Sequence, residues 1–313
     1  MSSCLDKNFL FIIGAPRSGT TWLQAMLGAH PAVCTTVELT LFTQYTRPWL
    51  NAWRAESGHI AAGDWHQGLP VLWTESEFQG FLQEFLDRVY KKVLETKPEA
   101  THILDKHPGY TACVAEIRWL LPRAQFIHVI RDGRDVAASL VAAQRDMGFG
   151  CRTIREAAHI WRSSIEQARS ARTLAGDYLE IRYEDLLATP RSSLKTVFEF
   201  SHLPVNDQLV DSIVEHCAFD KMKQTLQSPA SGIKEHPAHF RKGTTGGWKE
   251  DFRPIDRYFF HRIAGQLLSE LGYIENNTGH SWWGDTPLQK LRIRGQAAIE
   301  AVFRRMRRTI VRG

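Results

Sequence analysis

Residues 9–22 read Phe-Leu-Phe-Ile-Ile-Gly-Ala-Pro-Arg-Ser-Gly-Thr-Thr-Trp: an unbroken apolar run, a glycine-framed loop and a helix start. An apolar run without alternation is the pattern of a central parallel strand covered on both faces. Gly14 and Gly19 stand at the two glycine positions of G-x-x-x-x-G-K-[ST], a loop whose backbone cradles phosphates. Thr20 takes the slot of the lysine that reaches the β- and γ-phosphates in a triphosphatase. Such a loop suits a phosphate-like group without processing an ordinary triphosphate, and Arg17 supplies positive charge from a different direction. The N–H groups of Ser18 to Thr21 at a helix N-terminus, the hydroxyls of Thr20 and Thr21, and the forked cation of Arg17 all favour an anion there. Trp22 is a candidate to lie under a base.

Strands and helices alternate along the rest of the chain. Helices are expected over residues 20–29, ended by His30-Pro31, and over 75–94, where Phe78, Phe81, Leu82, Phe85, Leu86, Val89, Tyr90 and Val93 repeat with helical spacing. A short strand at Ile103-Leu104 leads into the exit loop Asp105-Lys106-His107-Pro108. Further helices are expected over 112–121, from about 132 to 145, and over 153–174, 190–200, 207–217 and 254–271, with strands over 126–130 and 178–183. Residues 32–74, rich in Trp, Gly and Pro, read as short elements and loops, and residues 228–249 read as a long functional loop. This alternation predicts an α/β fold with a mostly parallel central sheet flanked by helices.

The formal net charge of +5 is unevenly spread. Residues 285–313 carry eight Lys and Arg against Asp285 and Glu300, so the tail is +6 and residues 1–284 are −1. Basicity is therefore a property of the tail and does not indicate a nucleic-acid binder. One domain over 1–284 with a basic tail over 285–313 is the simplest division. In the tail Ile299, Val302, Phe303, Met306 and Ile310 recur at helical spacing between arginines, which suits peripheral contact with an anionic membrane or docking to a partner chain. Cys4, Cys34, Cys113, Cys151 and Cys217 are odd in number, scattered and without C-x-x-C spacing. That favours free thiols in a reducing, cytoplasmic setting over disulfides or a zinc site. Phe9–Ala15 lacks the flanks of a signal peptide, and no apolar run reaches the roughly 20 residues of a membrane span.

Two further clusters carry potential anion chemistry. Arg131 and Ser139, eight residues apart, fall at a strand exit and on the following helix, at the sheet edge where open α/β folds bind ligands. On spacing alone, a surface arginine and a helix-interior serine explain them better. Arg241-Lys242-Gly243 places two adjacent cations beside a glycine, a compact anion clamp. Taken together, these segments resemble the sulfotransferases that use 3′-phosphoadenosine 5′-phosphosulfate (PAPS). Pro16-Arg17-Ser18-Gly19-Thr20-Thr21-Trp22 is similar to the family's 5′-phosphosulfate loop. Residues 126–139 are similar to its 3′-phosphate motif, in which the matching Arg131 and Ser139 make the contacts. Tyr183-Glu184-Asp185 is similar to its Tyr-Glu-Asp segment, and residues 241–249 resemble its Arg-Lys-Gly-x-x-Gly-Asp-Trp-Lys loop, with Gly247 in place of the Asp. The order matches over about residues 9–250.

The resemblance implies a P-loop NTPase-like sulfotransferase fold, PAPS as donor co-substrate, no metal, and metal-free in-line transfer to a hydroxyl or amine of a small-molecule, carbohydrate or lipid acceptor. It implies Arg17 and Lys106 as the cations on the leaving oxygen. Arg17 stands where the cytosolic branch keeps lysine, whereas the tyrosylprotein branch shares Pro-Arg-Ser-Gly-Thr-Thr. Two residues compete as general base. Glu38 lies 21 residues after Arg17, the spacing of the tyrosylprotein branch's glutamate. His107 is the counterpart of the cytosolic branch's histidine, one place early. Trp49, Trp53, Trp65 and Trp73 are candidates to line an acceptor pocket. The rival readings are a P-loop nucleotide kinase, disfavoured by Thr20, and a non-catalytic module that binds adenosine 3′,5′-bisphosphate or membranes.

Overall fold

The computed structural model describes residues 3–64, 67–174, 176–218, 221–222, 243–274 and 295. Chain contacts group them into two compact units: Met1–Arg131 with Ser164–Phe240, and Asp132–Ser163 with Arg241–Gly313.

The first unit is built on five strands, β1 (Asn8–Ile13), β2 (Val33–Thr35), β3 (His102–Lys106), β4 (Gln125–Ile130) and β5 (Tyr178–Arg182). They lie in the order β2-β3-β1-β4-β5, and every neighbouring pair is parallel. Phe9 to Ile13 are all buried because both faces of β1 are covered. Phe9, Phe11 and Ile13 point into one apolar cluster with Phe42, Phe78, Leu82, Leu86 and Tyr90. Leu10 and Ile12 point into the other, with Leu23, Met26, Leu27, Val197, Phe198 and Ile213. Each such side chain contributes about 2 kcal/mol when fully buried. The chain order turns back at β1, between β3 and β4, so the C-terminal end of β1 is the topological switch point where open α/β sheets bind ligands.

Helix α1 (Thr20–Gly28) follows the glycine loop. The segment expected to be loops instead holds α2 (Arg47–Ala61), entered through a helical turn at Phe42–Thr46. Its pattern was weak because only Leu50 and Trp53 are buried on it, and Pro48, which reads as a breaker, sits in the first turn where its missing N–H costs nothing. Helix α3 (Glu75–Leu94) has the expected limits, with Thr74 and Glu77 forming a reciprocal cap. Helix α4 (Val114–Leu120) precedes β4. The helix expected over 153–174 ends earlier: α-helical geometry covers Ile154–Ala168, and a tighter 3-10 turn follows at Arg169–Thr173. Arg169 and Arg172 both reach Glu180 there. Strand β5 stops at Arg182, and Tyr183 already begins the short helix Tyr183–Ala188.

In the second unit the helix Gly133–Met147 begins against Trp161, where a Cβ on Gly133 would meet the indole at 2.4 Å. Trp161, Phe260 and Phe252 form its aromatic core with helix Pro254–Glu270. Asp135, buried, accepts from the N–H groups of Gly246 (2.7 Å) and Trp248 (2.9 Å), while Arg134 pairs with Asp132 and lies over the Trp248 ring. The Asp-Gly-Arg-Asp stretch thus caps its helix and also ties down the 246–248 turn.

Candidate active site

The loop after β1 is shaped by backbone geometry that its sequence anticipates. Gly14 and Gly19 have φ of +154° and +94°. A Cβ at Gly14 would meet the Val129 carbonyl oxygen at 2.6 Å, and one at Gly19 would meet the Tyr183 ring at 2.4 Å. Between them Arg17 is itself left-handed at φ +72°, a conformation that costs a non-glycine residue about 1 kcal/mol or more. The Ser18 N–H is taken by the Ala15 carbonyl, so the outward-pointing donors are those of the first turn of α1. Ser18 is fully buried, and its Oγ has no hydrogen-bond partner among the described residues. A hydroxyl left so costs about 1–3 kcal/mol, which a bound anion at the loop would offset. The cradle, the helix start and this hydroxyl fit a phosphate-type group.

Arg131, at the exit of β4, donates from Nη1 to the Arg17 carbonyl at 3.1 Å and stacks over the Tyr183 ring, 4.4 Å from its centroid. Tyr183 is buried and makes an edge contact with Trp22. It is therefore a wall behind the loop. Trp22 is also buried, and its indole N–H is spent on the Cys217 carbonyl at 2.7 Å.

Lys106, the last residue of β3, is buried to 1% exposure. Its Nζ donates to Thr21 Oγ1 at 3.0 Å and to Glu38 Oε1 in a short ion pair. Glu38 Oε2 lies 3.7 Å from His107 Nε2, and the Glu38 side chain is 40% exposed. The His107 ring is fixed by the Gly109 N–H, which donates to Nδ1 at 3.1 Å. A neutral His107 therefore carries its proton on Nε2, toward Glu38. Burial, the larger cause, and the Lys106 charge lower its pKa, against the pull of Glu38, so the ring is neutral at pH 7.

The structure thus brings Thr21, Glu38, Lys106 and His107 together, and separately links Arg17, Arg131 and Tyr183. Pro16 and Gly19 are half-buried and Thr20 is buried on the same loop. In the second unit Ser139 is buried on the helix Gly133–Met147, and Gly243 is left-handed at φ +59°. Arg241, Lys242, Trp65 and the tail 285–313 lie outside the described residues, apart from Gly295. Trp53 stacks on Phe78 at 4.4 Å inside the core, whereas Trp49 and Trp73 are partly exposed against Phe81. All five cysteines are free and buried. Among the described residues no cluster of His, Cys, Asp or Glu could hold a metal, and no helix is long and apolar enough to cross a membrane. Sequence reading missed Asp105, a buried acid on β3. That reading places it in the exit loop, whereas β3 continues through Asp105 to Lys106; its signal was an aspartate directly after the apolar pair Ile103-Leu104.

The model of the sulfotransferase family matches residues 10–207, well over half of the chain. The chain belongs to the sulfotransferase family. It is similar to protein-tyrosine sulfotransferase 1 of Danio rerio, 29% identical over 210 residues covering 66% of this chain and 56% of that protein. Protein-tyrosine sulfotransferase A of Caenorhabditis elegans is 24% identical over 205 residues, 64% of this chain and 52% of the other. The chain spans about half the length of these curated relatives. Among solved structures, mouse sulfotransferase complexed with PAP superposes with a TM-score of 0.55 at 18% identity, over 85% of this chain and 87% of that one. The sulfotransferase domain from the curacin biosynthetic pathway gives 0.53 at 20% identity, over 83% and 97%. These likenesses show that the sulfotransferase fold holds for this member of the family as well.

Proposed function

We propose that this protein transfers a sulfuryl group from PAPS to a hydroxyl acceptor. The observation that carries the reading is the position of Lys106, whose ammonium bonds the donor loop through Thr21 and the candidate base Glu38 at the same time. When bound, the donor supplies an activated sulfuryl group with a phosphate leaving oxygen. The loop 14–21, with Ser18, Thr20 and Thr21, would hold its 5′ end, and Arg131, Ser139, Arg241, Lys242 and Gly243 are the residues that match the family's 3′-phosphate contacts. The buried cation of Lys106 neutralises charge at the leaving oxygen, a task the family resemblance gives to Arg17 as well, and a cation already fixed by its hydrogen bonds needs little reorganisation to do so. Glu38 accepts the acceptor's proton. It is the better base of the two because His107 offers no free lone pair: Nδ1 is engaged by the Gly109 N–H and Nε2 carries the proton. His107 instead faces Glu38 and the turn that follows β3.

The names of the relatives put a tyrosine hydroxyl first among acceptors, ahead of simple phenols, carbohydrates and lipids. Five free cysteines fit a reducing, cytoplasmic setting, and membrane contact through the basic tail is a further part of this reading. The test is incubation with ³⁵S-labelled PAPS and an acceptor panel of tyrosine peptides, phenols, carbohydrates and lipids, with and without EDTA. Label transfer undiminished by EDTA is expected. Tight binding of adenosine 3′,5′-bisphosphate with no transfer to any acceptor would favour the non-catalytic module instead.

A further inference from the structure

Asp105 sits one residue before Lys106 on β3, in register with Phe11 of β1, and is buried to 2% exposure. Its Oδ2 accepts from two hydroxyls, Tyr90 of α3 at 2.9 Å and Tyr110 at 3.1 Å. The Tyr110 oxygen in turn accepts from the Leu41 N–H at 3.0 Å. Leu41 lies three residues after Glu38 and leads into the turn Phe42–Thr46. Between them Thr40 is left-handed at φ +53°, so residues 38–40 are irregular and lie outside any strand or helix, and Leu41 opens the helical turn, where its N–H has no earlier helical carbonyl to reach. The Tyr110 ring packs against Phe11, Phe42 and His107, at centroid distances of 6.0, 5.2 and 5.2 Å. A buried carboxylate is expensive unless hydrogen-bonded. Here its hydroxyl partners connect the strand that presents Lys106, the turn that follows His107 and the segment that presents Glu38.

We infer that Asp105 is a positioning residue: through Tyr110 and the Leu41 N–H it holds the Glu38 segment in register with Lys106. The role rests on the reading of Glu38 as base, and it assigns no contact with substrate to Asp105 itself. A base displaced by about 1 Å loses up to roughly a hundred-fold in rate while the donor loop is untouched. The effect of breaking the chain of bonds should therefore fall on turnover and leave donor affinity alone.

The experiment compares Tyr110→Phe, Asp105→Asn and Asp105→Ala with the wild type in the full chain. Hydrogen–deuterium exchange is read over residues 38–42, calorimetry with adenosine 3′,5′-bisphosphate, and turnover of PAPS with 4-nitrophenol as acceptor. Tyr110→Phe should speed exchange over 38–42 by roughly ten-fold and lower turnover by a similar factor, with nucleotide affinity within about two-fold. Asp105→Asn keeps an oxygen acceptor for the tyrosines and should recover most of what Asp105→Ala loses. Combining Tyr110→Phe with Glu38→Gln should cost no more turnover than Glu38→Gln alone. Unchanged exchange over 38–42 in Tyr110→Phe overturns the inference, and so does a loss that multiplies with Glu38→Gln. If the wild type turned over no acceptor, the sulfuryl-transfer reading would fall, while the exchange measurement would still decide the tether.

Discussion

The guanidinium of Arg131 donates to the main-chain carbonyl of Arg17, 114 residues away in sequence and 3.1 Å away in space. The side chain that matches the family's 3′-phosphate contact therefore also braces a left-handed residue of the 5′ loop. Arg131→Lys keeps the charge but loses the planar fork that bonds the carbonyl while lying over Tyr183. Affinity for adenosine 3′,5′-bisphosphate should fall about ten- to hundred-fold, the loss of one charge-assisted hydrogen bond. Calorimetry reads this directly, and an affinity equal to wild type would show that the brace is dispensable.

Ser18→Ala should move stability and binding in opposite directions. The buried Ser18 Oγ has no partner among the described residues, so removing it should leave the ligand-free fold as stable as before or up to about 1 kcal/mol more stable. The same change removes a donor from the anion cradle, and nucleotide affinity should drop about ten-fold. Thermal unfolding and calorimetry on one preparation check both signs. A fall in both quantities would mean that the hydroxyl serves the fold.

Glu38→Gln and His107→Asn should separate the two candidate bases. Loss of the base costs about 10²–10⁴ in turnover with little change in donor binding. Glu38→Gln should show that loss, whereas His107→Asn should keep more than about a tenth of wild-type turnover, since its basic nitrogen is engaged by Gly109. ¹⁵N NMR of the imidazole should report the Nε2-protonated tautomer. Near-full turnover in Glu38→Gln would remove its assignment.

Asp105 imposes a pH dependence on the fold. Burial pushes its carboxyl up to about 6 from 3.8, outweighing the opposite pull of the Tyr90 and Tyr110 hydroxyls. Between about pH 4 and pH 6 the folded state holds a proton that the unfolded chain has already released, so this group makes stability fall as pH rises through that window. Asp105→Asn has nothing to titrate. Its stability relative to wild type should improve by about 2 kcal/mol from pH 4 to pH 7. Denaturant unfolding at four pH values tests this, and a difference that stays flat would refute it.

What was legible in the sequence was local. Gly14 and Gly19 announced the loop because only glycine fits where Val129 and Tyr183 press against the backbone. Helix α3 announced itself because Phe78, Leu82, Leu86, Tyr90 and Val93 all face one core and Thr74 caps it. Helix α2 stayed hidden because only Leu50 and Trp53 on it are buried and Pro48 near its start reads as a breaker. The tether around Asp105 was illegible for a different reason. Tyr90 looked like one more core aromatic on an apolar stripe, and nothing in the spacing of Leu41, Tyr90 and Tyr110 says that their polar atoms converge on one carboxylate. The Arg131 brace is hidden in the same way, since its acceptor is a backbone oxygen that any residue at position 17 would supply.

The place that a side chain at Gly19 would fill is taken by the Tyr183 ring. The mould of the first binding element is thus delivered by a segment made much later in translation. A nascent chain released before residue 183 would carry every residue of the loop and still lack its back wall. Fragments ending short of that tyrosine should be unable to retain nucleotide, however well their first strand and helix form.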